Sequence, residues 1–312
     1  MAKLKLDHVI TSTNIASIDV HLDDYRKAGF LPVEYTVRLD PGLRNGFIAI
    51  GPEYVEFAWV ENADEFNRAA VANPILAALR AIPRPFRISF VTEDISAVHD
   101  EWTARGYDLP PIQSLKPQDA QPDDLPLWSL FDIPPSILRG VWFVVEQYHR
   151  HREGGMQEIS MSPNTIYAMV GITFVSNVPG EQAARWRDVF ALAEPVQREE
   201  GIVEVRLGPH VFTWMTPEKY QDTYRLPWEF ANHPFGEIAI LHLHANSLEK
   251  AHEMLYKAGR ETAPISSDLI GGDGILILPD IRDGLTFLVT ECPVQDWLDE
   301  RTSITGEHIR VI

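Results

Sequence analysis

The stretch Leu6-Asp7-His8-Val9-Ile10, read with Arg44-Asn45-Gly46-Phe47-Ile48-Ala49-Ile50-Gly51 and Tyr54-Val55-Glu56-Phe57-Ala58-Trp59, decides the fold of this chain. The first run is a strand, about Leu6 to Ser12, and the others read as a hairpin. Between them lies a helical segment, Ile18 to Ala28, closed by Gly29, which suits a helix C-cap. A further strand is expected near Leu31 to Leu39, and Pro41-Gly42 and Gly51-Pro52 mark turns. The predicted order is therefore strand, helix, three strands. Successive strand residues point to opposite faces, so Val55, Phe57 and Trp59 share one face and Tyr54, Glu56 and Ala58 the other. A histidine in the early strand and a glutamate in the late one can then converge on one metal ion.

The same order of elements returns three more times. A second copy begins at Phe86 to Val91, has a helix from Ile95 to Arg105 stopped at Gly106, and ends in Val141 to Tyr148. The helical segment Asn62 to Ala81 connects it to the first. The stretch Pro110 to Pro135, rich in Pro, Asp and Gln, reads as a long loop, and His149 to Pro163 as a linker. The third copy has a strand at Tyr167 to Val175, a helix at Gly180 to Ala191 and strands near 196–199, 203–207 and 211–215. The fourth has a strand at Glu237 to Ala245, a helix at Ser247 to Ala258 ended by Gly259, and strands near 261–265, 275–278 and 285–291. The division expected is an N-terminal pair of modules, 1–155, a C-terminal pair, 160–295, and a polar tail, 296–312.

Composition narrows the function. The chain has 312 residues, 45% of them apolar and 23% charged, enough for one large or two medium globular domains. A formal charge of -18 argues against nucleic acid and anionic membranes, which require a basic footprint. No apolar run reaches membrane-span length and the start lacks the apolar core of a secretory signal, so a cytoplasmic address is expected. One cysteine, Cys292, excludes an internal disulfide and cysteine-rich metal sites. Gly271-Gly272-Asp273-Gly274 lacks the Gly-Lys-Ser/Thr ending of a phosphate loop and reads as a turn.

The βαβββ order, with Asp-His opening the first strand and a glutamate in the last, resembles the vicinal oxygen chelate superfamily and its glyoxalase-like branch. The resemblance implies an α+β protein of four βαβββ modules, paired into two domains with curved sheets. It further implies a small-molecule cleft holding a divalent ion (Zn, Ni, Mn or Fe(II)), with His8 and Glu56 as ligands. On residue pattern alone, His8 reads as a hydrogen-bonded core histidine and Glu56 as a solvated strand residue. Glu146 is the matching carboxylate of the second module, as ligand or general base, and Trp142 and Tyr148 share its face for stacking on a substrate. Pairing of Glu146 with Arg150 or Arg152 is the alternative. Arg44-Asn45 resembles the family's Gly-Thr-Asn-like segment before the third strand, which would let Arg44 hold a substrate carboxylate or phenolate, with Asn45 beside it.

The first strand of the second module lacks the family's usual His, Gln or Glu and has Ser89. The outcomes left open are a three-ligand site with open positions for substrate and water, a weak site, or no metal. A closure of module one on module four would instead bring His242 and Glu291 to His8 and Glu56. The function expected is a metal-dependent lyase or isomerase acting on a small oxygenated metabolite. The alternatives are an Fe(II) extradiol dioxygenase, opposed by the absence of histidine in Tyr167 to Ile172, and a metal-free binding protein using Trp59, Trp142 and Tyr148. The C-terminal pair reads as a dimerisation or scaffolding copy without its own site, leaving a homodimer open.

Overall fold

The computed structural model describes residues 4–33, 42–70, 83–115, 127–149, 157–228 and 236–312. The N-terminal elements are β1 (Lys5–Thr13), α1 (Ile18–Lys27), β2 (Leu31–Pro32), β3 (Leu43–Ile50), β4 (Glu53–Val60), α2 (Ala63–Ala70), β5 (Pro85–Val91), α3 (Ile95–Ala104), β6 (Gln113–Leu115), β7 (Trp128–Ile133) and β8 (Trp142–Tyr148). They build one mixed sheet in the order β2-β3-β4-β1-β5-β8-β7-β6. Much of the strand expected to Leu39 and of the helix expected to Ala81 lies outside the described residues.

After β9 (Gln157–Ile159), the second half repeats the plan with β10 (Ile166–Val175), α4 (Pro179–Phe190), β11 (Val196–Glu199), β12 (Ile202–Leu207), β13 (His210–Met215), α5 (Pro217–Tyr224), β14 (Glu237–Ala245), α6 (Leu248–Lys257), β15 (Thr262–Ser267), β16 (Gly272–Ile277) and β17 (Phe287–Glu291). Its sheet order is β11-β12-β13-β10-β14-β17-β16-β15, the same path through the same modules. Gly29, Gly106 and Gly259 all have positive φ where their helices end. This repeated left-handed position, readily available only to a residue without Cβ, is the punctuation the sequence shows.

The central ladders settle which modules pair. β1 runs antiparallel to β5, with His8 opposite Ser89, and parallel to β4. β10 likewise joins β14 and β13. Module one therefore joins module two within one sheet; module four meets it on the helix side, where Tyr25 of α1 bonds Asp283 at 2.8 Å, and the second sheet's His242 and Glu291 do not join His8 and Glu56.

Two segments carry more structure than their composition announces. Within Pro110 to Pro135, read as a loop, Trp128–Ile133 is a strand paired with β8. Its alternation, with Phe131 and Ile133 turned into the core, is masked in the sequence by the Pro, Asp and Gln around it. Residues 296–312, read as a polar tail, contribute most of α7 (Val294–Thr305) and all of β18 (Ile309–Val311), which pairs with β9. Trp297 and Arg301 of α7 are buried.

The helix-covered faces of both sheets meet in one apolar cluster. Ile18, Leu22 and Tyr25 of α1 join Val9, Ile48, Val55 and Phe57, while Trp102 of α3 meets Phe190 of α4 with ring centroids 5.6 Å apart. Phe90 and Phe143 of the first sheet pack on Trp186 of α4 at 5.7 and 5.4 Å. Burial at about 25 cal/mol per Å² of apolar surface makes this shared aromatic core a principal tie between the halves. The opposite face of the second sheet packs a second apolar cluster with Tyr220 and Tyr224 of α5, whereas the opposite face of the first sheet carries a polar cleft. No helix among the described residues is long and apolar enough to cross a membrane.

Candidate metal and substrate site

The cleft of the first sheet receives the side chains that alternate away from the shared core. On β4, Val55 and Phe57 enter the core, so Glu56 and Ala58 line the cleft. Trp59 packs at the edge of the core instead. On β1 the ladder to β5 is irregular between Leu6 and His8. Such a bulge lets consecutive side chains meet on one side of a sheet. Asp7 Oδ2 accordingly lies 2.8 Å from His8 Nδ1.

His8 Nε2 is left facing the cleft, 3.4 Å from Glu56 Oε2. Its ring stacks on Tyr54 at 4.3 Å with planes 17° apart. Asp7, His8 and Glu146 each present a ligand atom within 4.8 Å of the others. Glu56 is fixed from its other side by the amide of Asn45, which donates to Oε1. The Tyr148 hydroxyl lies 2.7 Å from Asp7 Oδ2 and 3.1 Å from Glu146 Oε2, and the Tyr54 hydroxyl lies 3.1 Å from it. Having one proton, Tyr148 donates to one carboxylate at a time.

Burial and charge compete here. Burial pushes the His8 imidazole down, but its bond to Asp7 and the charges of Glu146, Asp7 and Glu56 outweigh this and leave its pKa above the ordinary histidine value. Burial pushes Glu56 up, and the His8 charge, the Asn45 bond and Arg87 offset it only in part. Burial, reinforced by neighbouring carboxylates, also keeps the Tyr54 and Tyr148 phenols neutral well beyond the usual range. A concentration of negative charge around one imidazole is what a bound cation would relieve.

The residues fit a divalent ion. One histidine nitrogen with carboxylate oxygens suits a borderline or hard metal: Asp7, His8 and Glu146 form the close group, and Glu56 stands beside His8 Nε2 outside it. Opposite His8, at the position that lacks a strong ligand, the Ser89 hydroxyl is fully buried and has no hydrogen-bond partner among the described residues.

Several expected residues fall elsewhere. Arg44 points away from the cleft, because Asn45 and Arg44 alternate. It pairs with Asp19 of α1 at 3.1 Å and Glu61 at 3.7 Å, so it is not placed to hold a substrate. His242 lies in the second sheet, its Nε2 2.7 Å from Thr173 Oγ1, and is not brought to His8. Glu291 accepts from the Leu248 backbone at the start of α6. Trp142 and Tyr148 do share the face of Glu146, and Tyr148 is 42% exposed. His149 bonds Ser129 at 2.8 Å, a structural role. Sequence reasoning missed Asp7 as the group behind His8, although the Asp-His pair was in view, and missed Arg87, a cation in a strand credited only with Ser89.

Comparison with known proteins bears on the family and the fold. A family model described as a glyoxalase-like domain matches residues 6–190. No curated protein matches the chain. Among solved structures, a variant of 4-hydroxymandelate synthase from Streptomyces coelicolor is similar with TM-score 0.60 at 11% identity, covering 93% of this chain and 93% of that one. The Mn(II)-bound glyoxalase from Novosphingobium aromaticivorans gives 0.57 at 11% identity, covering 93% and 83%. A catechol 2,3-dioxygenase gives 0.55 at 11%, covering 94% and 90%. At such identities the likeness to these structures is one of fold. With more than half of its length matched by the family model, and with the repeated βαβββ sheets that carry it, the chain belongs to the glyoxalase-like domain family of the vicinal oxygen chelate superfamily.

Proposed function

We propose that this protein is a metal-dependent enzyme, a lyase or isomerase, acting on a small oxygenated metabolite held through vicinal oxygens in the first cleft. The observation that carries the reading is the approach of His8 Nε2 to Glu56 Oε2 at 3.4 Å, with Asp7 behind the imidazole and Glu146 alongside. His8, Glu56 and Glu146 would hold the ion, which supplies Lewis acidity to a substrate oxygen when bound. Glu56, locked by Asn45, is suited to stay a ligand. Glu146 is suited to take a proton from the substrate, because its Oε2 has Tyr148 within 3.1 Å and Tyr148 reaches the surface. The stacked Tyr54 ring shields His8 from water on one side.

Elemental analysis of the parent beside His8→Ala and Glu56→Ala tests this. About one equivalent of a transition metal in the parent, and almost none in folded variants, is the expected outcome. A parent that takes up none after incubation with Zn, Ni, Mn and Fe(II) would replace this reading with a metal-free binding protein. The extradiol alternative lacks support in the second half, where β10 has no histidine and His242 is engaged by Thr173.

A further inference from the structure

Next to the His8 group, the cleft carries donors that the mechanism above does not use. Arg87 of β5 and Trp142 of β8 are register partners on adjacent parallel strands. Ser89 follows Arg87 by two residues, while Ile88 and Phe90 between and beyond them turn into the shared core, so all three face the cleft. Arg87 gives Nη2 to Asp132 Oδ1 at 2.9 Å, but its Nε is buried and has no partner among the described residues. Trp142 Nε1 and Ser89 Oγ are buried and have no partner among the described residues either. Donors withdrawn from water are ordinarily matched, so three orphans on adjacent positions of one concave face mark the outline of an acceptor.

The chemistry of the donors defines that acceptor. Guanidinium and indole N–H groups only donate, and the serine hydroxyl is free to do so. An amide or alcohol would bring protons of its own, whereas an ionised carboxylate brings two oxygens, accepts only, and gains charge-assisted bonds to arginine. A dianion such as phosphate is opposed by Asp7, Glu56, Asp132 and Glu146 on the same face, with Arg87 already shared with Asp132. We propose that Arg87, Trp142 and Ser89 bind the carboxylate of the substrate, making it a small carboxylic acid, a role that the outward-turned Arg44 cannot fill. The inference rests on the first cleft being the substrate site. Since Ser89 pairs with His8 across the β1–β5 ladder, the carboxylate is delivered beside the ligand group.

The test is calorimetric titration of the protein with benzoate and pyruvate, each against its primary amide, with inorganic phosphate as control. It is run on protein loaded with Mn(II) and on the same protein stripped by chelator. At least one acid is expected to bind about tenfold or more tightly than its amide, as charge-assisted bonds to a buried guanidinium require. Arg87→Met, which keeps the apolar stem, should abolish that margin, and Trp142→Phe should reduce it. Asp132→Asn should strengthen acid binding several-fold by releasing Arg87, a gain that a misfolded variant could not produce. Equal binding of acid and amide, a margin that survives Arg87→Met, weaker acid binding by Asp132→Asn, tighter binding of phosphate than of both acids, or binding of neither acid would each overturn the proposal. Metal content read on the same samples separates the two ideas. An acid margin in protein that takes up no metal sinks only the metal reading, and bound metal without an acid margin sinks only this one.

Discussion

Arg44 and Asn45 are neighbours on β3 that end on opposite sides of the sheet: Arg44 reaches Asp19 of α1 at 3.1 Å, while Asn45 holds Glu56 in the cleft. One pleat thus separates a surface ion pair from a residue that aims the proposed metal ligand Glu56. Removing Asn45 would leave Glu56 free to turn. Asn45→Ala is expected to lower metal affinity about 10–100-fold, the usual effect of losing a group that orients a ligand. Arg44→Ala is expected to change neither metal content nor stability by more than about 0.5 kcal/mol, since its pair is exposed. Competition with a chelator and urea unfolding measure the two, and equal effects would contradict the assignment of faces.

Glu53 is buried where the halves and the C-terminal helix meet. It accepts from His210 at 3.0 Å and from Arg301 at 2.8 Å. Burial alone would raise its pKa, but the Arg301 charge and the His210 bond outweigh this and hold the carboxyl below its usual range. Arg301→Met should destabilise the protein by about 3–5 kcal/mol, because a buried charge loses its main partner. Glu53→Gln in the Arg301→Met background should recover part of that loss. Thermal unfolding compares the three proteins, and a single variant as stable as the parent would remove the pair from any role in joining the halves.

The fold was legible where one physical rule acts alone. Apolar alternation in Tyr54 to Trp59 and glycines after three helices reveal repeated modules, since pleat and left-handed caps are local requirements. The face of Glu56 could be read for the same reason. Arg44 could not be placed by resemblance, though the alternation that placed Glu56 also sends Arg44 outward. The partnership of Asp7 with His8 depends on a break in register, which no side-chain pattern announces. Arg87 was hidden because its meaning comes from Trp142, 55 positions away and adjacent only once β5 and β8 pair. The tail reads as polar because α7 shows only a narrow apolar stripe. Its anchors are Trp297, whose face Arg301 covers at 5.5 Å, and the ion pair to Glu53.

Acid should loosen the second half first. His242 and His244 lie on one strand, and burial pushes both down to about 4, with His244 adding to the shift of His242. The unfolded chain protonates such residues near pH 6.5, so it takes up protons that the native state refuses. Stability is therefore complete above about pH 6.5 and falls as the pH drops from there toward 4. The depressed Glu53 acts lower down, its contribution present above about pH 4.5 and lost as the pH falls through its folded value. Urea midpoints at pH 7.5, 5.5 and 4.5 check this. His242→Gln should flatten the upper part of the curve, and an unchanged slope would assign the acid sensitivity elsewhere.

The β3–β4 turn supplies a test of how tightly the halves seat. Gly51 has φ +71, and a Cβ there would stand 2.2 Å from the Tyr167 carbonyl oxygen of β10. Two costs would therefore meet in Gly51→Ala: a left-handed conformation that disfavours a Cβ by about 1–2 kcal/mol, and a backbone contact that must open. The strands on either side of this turn carry Asn45 and Glu56, so opening it displaces the proposed metal-ligand group as well as the interface. The variant should lose more than about 2 kcal/mol of stability, exceeding the conformational cost alone, and should also bind metal more weakly. Gly106→Ala provides the control, because Gly106 has φ +88 and nothing within 4 Å of the added carbon. It should show the conformational cost without the change in metal affinity. If the two variants lose equal stability and keep equal metal affinity, the close approach of Gly51 to Tyr167 does not couple the interface to the site.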